Sequence, residues 1–266
     1  MLSLTLALPL LFAAPQDDAG KDAGPSKEAV AAAVERLAAA FDKEKPEEVA
    51  AALQAAAPVP HADVVALLEK RGLSHPHPDV LRATFEALGN LPGEAALEAL
   101  HGHAKRNRKA LRKNPELYVP LLQAIARHAD PSSIDVLTRD LFGVPSREVI
   151  RARVLGLGRI RSARSVEELI GLMKKAGRNR VQPYMEDFRL ALVILTHVDK
   201  GTSQDAWLAW WNASKKGYEL PEGTPKLPER MQTRWDRYWG EPRRYQRQKR
   251  RGERGNDPED DGDAAP

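Results

Sequence analysis

A segment of this sequence returns every 30 to 40 residues, and that recurrence narrows the fold sharply. Leu88–Leu100 reads LGNLPGEAALEAL, Ile125–Leu137 reads IARHADPSSIDVL and Leu157–Leu169 reads LGRIRSARSVEEL. The three align without a gap at offsets of 37 and 32 residues. Each opens on an apolar residue followed by Gly or Ala and then a polar turn. Two apolar positions three apart close it: Leu97 and Leu100, Ile134 and Leu137, Val166 and Leu169. Residues three apart share a helix face, so the segment describes the end of one apolar helix, a reversal and the start of a second. The small residue lets the first helix approach its partner closely. One such pair cannot bury both of its apolar faces, so neighbouring pairs must stack. The expectation is an all-α chain, an α-solenoid of about five antiparallel helix pairs.

Composition points the same way. Hydrophobic residues make up 42% and charged residues 29% of the 266 positions, enough to bury a core. Alanine and leucine dominate the apolar set, which favours helices over strands. There is no cysteine, which removes disulfides, thiolate metal sites and a cysteine nucleophile.

Helix signals run through the body from Ser26. That serine is placed to cap a helix through about Phe41, with Val30, Val34, Leu37 and Phe41 on one face. Pro46 opens a second helix, and Glu47 and Glu48 suit its positive end. A third is expected from about His61 to Arg71, stopped by Gly72. Pro76 and Pro78 mark the next turn, before a helix that carries Val80, Leu81, Phe85 and Leu88.

A fourth copy of the turn lies at Leu195–Trp211, LTHVDKGTSQDAWLAWW, with Leu195 at the position of Leu88 and Trp207 at that of Leu100. Asp199 and Gly201 are turn formers, Ser203 is a candidate N-cap, and Trp207, Trp210 and Trp211 share a helix face. Three large aromatics there would cover the end of the preceding pair. The residue types of the repeated turns resemble HEAT repeats in the broad sense that includes armadillo-like forms, over residues 26–216. Leu195, Thr196, Asp199, Gly201, Trp207, Trp210 and Trp211 also resemble the last repeat of secreted HEAT-repeat proteins of planctomycete-type bacteria, with His197 where glycine is usual and Ser203 where an acidic residue is common. That resemblance implies architecture and export only.

The termini read differently from the body. Met1 to Ala14 carries no charged side chain, and as a helix it would span roughly 21 Å, short of the ~30 Å hydrocarbon core. Residues 1–15 are therefore expected to be a signal peptide, making the mature protein secreted or periplasmic, without a transmembrane segment. Residues 16–25 form a flexible linker. After the body, residues 217–228 are a Pro- and Gly-containing linker. Residues 229–240 hold a short helix with Met231, Trp235, Tyr238 and Trp239 on one face, expected to dock on the body because that face is costly to leave in water. Residues 241–266 are a disordered tail, basic and then acidic. The charge is concentrated here: residues 226–254 hold 11 basic and 4 acidic side chains, and the acidic run Asp257–Asp263 follows.

Two functional surfaces are expected. A solenoid presents a concave face suited to a protein partner, which makes a non-enzymatic scaffold the leading expectation. Arg243, Arg244, Arg247, Lys249, Arg250, Arg251 and Arg254 would instead suit a polyanion such as nucleic acid, an acidic lipid surface or an anionic polysaccharide. Lys105, Arg106, Arg108, Lys109, Arg112 and Lys113 are either a solvated helix end or part of such a basic surface. No Gly-rich phosphate loop, nucleophile elbow or HExxH is present. His75 and His77 flank a proline, and His101 and His103 stand two apart on a helix, a poor chelate. No cofactor, metal or catalytic residue is expected, and a HEAT-like lyase or glycosylase is the remote alternative.

Overall fold

The computed structural model describes residues 25–43, 45–56 and 59–240, and these residues form helices and connecting turns with no strand. The expected signal peptide and most of the linker after it, like the tail from 241 onward, lie outside the described residues.

The chain opens with α1 (Lys27–Asp42), whose Ser26 hydroxyl accepts from the Ala29 amide at 3.2 Å, and α2 (Pro46–Ala56), with Glu47 and Glu48 in its first turn. The helix α3 (Ala62–Leu67) runs on as a π-helical turn, Leu68–Gly72. Gly72 does not stop it by turning left-handed. Its value is space, since a Cβ there would sit 2.6 Å from the Thr84 Oγ1 of α4 (Pro78–Asn90). Next come α5 (Glu94–Arg106), a single-turn α6 (Arg108–Leu111) and α7 (Pro115–Arg127). They are followed by α8 (Ile134–Thr138), α9 (Arg147–Arg159) and α10 (Ala163–Ala176). The last four are α11 (Arg178–Val181), α12 (Met185–Thr196), α13 (Gln204–Ser214) and α14 (Glu229–Trp239).

The repeated turn maps onto α4–α5, α7–α8, α9–α10 and α12–α13. Its leading apolar residues, Leu88, Ile125, Leu157 and Leu195, are all completely buried. The turns themselves are closed by different chemistry. Asp130 accepts from the Ser132 amide at 2.8 Å, Ser162 from Arg164 at 3.2 Å, and Asp199 from Gly201 at 2.8 Å, while Gly93 reverses the chain at φ +109°. In the fourth copy a polar residue, Gln204, replaces the first apolar position of the second helix. It stays buried by donating to the Met173 carbonyl oxygen at 3.1 Å.

The small residues act differently from the sequence expectation. They bring α4, α7, α9 and α12 against one another in chain order, not each helix against its own pair partner. A Cβ on Gly89 would lie 2.7 Å from the Ala124 Cα, and one on Gly158 would lie 2.8 Å from the Ala191 Cα. Between those two contacts, Ala126 meets Gly156, where an added Cβ would come within 3.1 Å. Backbones this close leave no room for larger side chains, so the row is held by shape as much as by apolar area. The main core lies between this row and α5, α8, α10 and α13. No helix among the described residues is long and apolar enough to cross a membrane.

The segment 217–228 has no regular structure, yet it is packed. Tyr218, Leu220 and Leu227 rest on the core, and the Arg161 guanidinium donates to the Pro221 carbonyl oxygen at 2.5 Å.

Candidate functional site

The helix α14 spans Glu229–Trp239 and docks on the body. Its strong amphipathicity leaves Trp235 and Trp239 on one side, and both are buried against Ala126 of α7, Leu155 of α9 and Leu190 of α12. These three residues belong to a second apolar cluster, separate from the main core. The row α7–α9–α12 is thus apolar on both faces, and α14 covers part of the second one. Arg159 stacks its guanidinium over the Trp239 ring at 4.9 Å, a geometry in which the ring's negative face meets the cation.

An ion cluster fixes the register of this helix. Asp187, in the first turn of α12, is 1% exposed. Its Oδ1 accepts from Arg151 Nε of α9 at 3.2 Å and from Arg234 of α14. Arg234 also lies 3.7 Å from Glu186. A carboxylate so deeply buried needs its partners, because an unpaired buried charge costs several kcal/mol. Arg151, Arg230, Thr233, Arg234, Arg237 and Tyr238 line a shallow depression beside the cluster, and burial holds the Tyr238 phenol well above its ordinary pKa. Asp187 is thus a carboxylate held inside the body by residues of other helices. Its partners come from 36 and 47 residues away, so no local spacing announces the cluster.

At the tryptophan turn the three rings share one face but not one environment. Trp207 is fully buried and donates its Nε1–H to the Gly201 carbonyl oxygen at 2.9 Å. Trp210 and Trp211 are half-buried, each with its ring edge-on to Tyr218 at 5.8 and 5.3 Å. Tyr218, from the following segment, thus joins Trp210 and Trp211 in one aromatic cluster. Asp199 holds the turn through two hydrogen bonds from Arg189, at 2.8 and 2.6 Å, which keep its carboxyl below the usual range. His197 is left-handed at φ +58°, the conformation that favours glycine at this place.

The basic segment 105–113 is not a loop. Lys105 and Arg106 end α5, and the single turn of α6 buries Leu111 before α7 begins. Arg106 pairs with Glu69, and Arg112 pairs with Asp140 at 2.9 Å. Lys105, Arg108, Lys109 and Lys113 are exposed and make no ion pair among the described residues. Lys105–Ala110 and Arg112 border an open depression.

The histidines lie apart. Nδ1 of His75 and Nδ1 of His77 accept from the amides of His77 and Asp79, so both serve a turn. His101 faces Ser133 at 3.0 Å, whereas His103 packs edge-on to Phe85. Burial lowers the pKa of His101, His103 and His128. No cluster of three His, Cys, Asp or Glu with metal-holding geometry occurs among the described residues. Arg243, Arg244, Arg247, Lys249, Arg250, Arg251 and Arg254 lie outside them. No family model matches the chain, and no curated protein is similar to it.

Proposed function

We propose that this protein is an exported, non-enzymatic α-solenoid scaffold of the HEAT-like kind. In this reading α2, α4, α7, α9 and α12 form its inner layer, and a protein partner binds along that layer. One observation carries the reading: the face of α7, α9 and α12 already holds an amphipathic helix. It does so with aromatic anchors on an apolar strip and a buried carboxylate that takes an arginine. Those are the elements of helix-in-groove recognition, in which apolar anchors supply affinity and a desolvated ion pair fixes the register. Residues 241–266 are the second part of the proposal, a charged tail available to an acidic partner or polyanion.

The test is capture from a cell-envelope extract with the mature chain beside a form ending at Gly240. A cut at Gly217 would remove α14, baring Leu155 and Leu190 and depriving Asp187 of Arg234, so Gly240 is the proper limit. A specific partner retained by both forms in 0.5 M salt supports binding on the helical body. Capture lost with residues 241–266, and lost again in salt, moves the function to a polyanion contact by the tail. No specific partner for either form overturns the scaffold reading.

A further inference from the structure

On the side of α9 away from Arg151 lies a buried arginine, and it has no counter-charge among the described residues. Arg153 is 3% exposed. Its Nη1 donates to the Arg139 carbonyl oxygen at 2.5 Å and its Nη2 to the Tyr118 hydroxyl at 2.6 Å, with the guanidinium 5.3 Å above the Tyr118 ring. These neutral acceptors hold the group in place without cancelling its charge. Its Nε is buried with no hydrogen-bond partner. Among the described residues no carboxylate stands within ion-pair distance, and the two acids on either side of Arg139 are committed elsewhere. Asp135 pairs with Arg164 at 2.5 Å and Asp140 with Arg112 at 2.9 Å.

Arg153 lines a cavity of about 220 Å³ shared with His101, Lys105, Arg108, Tyr118 and Arg139. The wall thus holds four cations and no acid. Lys105 and Arg108 also border the open depression formed by the basic segment, so the cavity sits beside a positively charged approach. A buried, uncompensated guanidinium is costly for a fold to keep. An anion placed against it removes that cost and gains charge-assisted hydrogen bonds.

We infer that this cavity binds a phosphate group. The volume is below the ~300 Å³ at which sites for drug-sized ligands begin, so the cavity takes in a single small group and not a whole drug-sized ligand. Among small groups, phosphate carries about 1.5 to 2 negative charges at pH 7, and so about 1.5 to 2 times the Coulombic attraction of a carboxylate towards the same four cations. It also offers three or more acceptor oxygens to a guanidinium, a second arginine and a lysine. The phosphate is either a free anion or a group borne on a phosphorylated peptide. The inference rests neither on the partner proposed above nor on residues 241–266.

The experiment follows the melting temperature of the full chain against sodium phosphate, with sodium chloride at matched ionic strength as reference. The expected result is a saturable rise with phosphate and none with chloride. R153M abolishes it, and K105S/R108S, which changes only exposed side chains and serves if R153M misfolds, weakens the apparent affinity at least tenfold. K174S/K200S, removing the same charge elsewhere on the surface, keeps it. Equal shifts with phosphate and chloride, an unchanged response in K105S/R108S, or equal losses in the two double variants would each overturn the inference. A phosphoserine peptide that saturates the site at a tenfold lower concentration than free phosphate assigns the group to a peptide. Equal potency assigns it to the free anion.

Discussion

Arg151 and Arg153 stand two residues apart on α9, point to opposite sides of the helix, and meet opposite electrostatic solutions. Arg151 reaches a buried carboxylate that it shares with Arg234, so the charges on that side are matched by ion pairing. Arg153 reaches a carbonyl and a phenol, so its hydrogen bonds are partly met while no described carboxylate matches its charge. The matched cluster joins three helices and is a structural fastener. The unmatched one leaves a positive cavity, which is a place for something else. Hydrogen-bond satisfaction and charge compensation are separate requirements, and one helix meets them separately on its two sides.

The largest test of that contrast is D187A, which, apart from Glu186 at 3.7 Å from Arg234, removes the counter-charge of two arginines. Each is about one-third exposed and regains some water, so the expected loss is about 2–4 kcal/mol, measured by urea denaturation. A double-mutant cycle with R234M should return a coupling of roughly 1–3 kcal/mol, and a value near zero would remove the fastener role. R153M should cost far less, within about 1 kcal/mol in phosphate-free buffer, because it removes a buried charge without stranding another. A loss as large as that of D187A would mean that Arg153 has an unrecognised counter-charge.

The pH dependence is next in size. His101 lines the Arg153 cavity and, like His103 and His128, has its pKa lowered chiefly by burial. For a base with a lowered folded pKa, the unfolded chain takes up protons first as pH falls through the ordinary histidine value of 6.5. Stability is therefore full above that value and declines as pH drops towards the folded values. The melting temperature should fall between pH 7.5 and 5.5, and H101N should flatten part of that slope. Asp199 responds lower on the scale. Its carboxyl is lowered chiefly by the hydrogen bonds from Arg189, so its contribution is present above the ordinary aspartate range and fades as pH falls through its depressed pKa.

The smallest effect belongs to that pair itself. Arg189 and Asp199 form a third arrangement, matched in charge but close to water, with side chains 28% and 35% exposed. R189M is expected to cost ~0.5 kcal/mol and to cost less in 1 M salt, read from the same urea midpoints. An effect near that of D187A would mean that burial is not what separates the two clusters.

Much of the helical layout was legible, because periodicity and capping are local. Met231, Trp235, Tyr238 and Trp239 announce both α14 and its docking face, and Ser26, Pro46 and the repeated turns mark helix starts that the structure places there. The illegible parts depend on distant neighbours. Gly72 reads as a helix stop until Thr84 is seen against it, and Gly89 and Gly158 read as intra-pair spacers until Ala124 and Ala191 are seen beside them. Asp187 reads as a first-turn acid suited to the helix dipole, and Arg153 as one more charge in REVIRARVLGLGR. Nothing in their own sequence surroundings says that both are buried.

The docking of α14 has a consequence for how the chain is made. Helices of the α4–α7–α9–α12 row meet neighbours close in sequence, so they can assemble as they emerge. Trp235 and Trp239 must instead return to Ala126, about a hundred residues upstream, the kind of contact that forms late. Until α14 has been synthesised, Leu155 and Leu190 lack the cover that Trp235 and Trp239 give them. A copy that terminates between α12 and α14 lacks that cover altogether, and its bare apolar strip favours association.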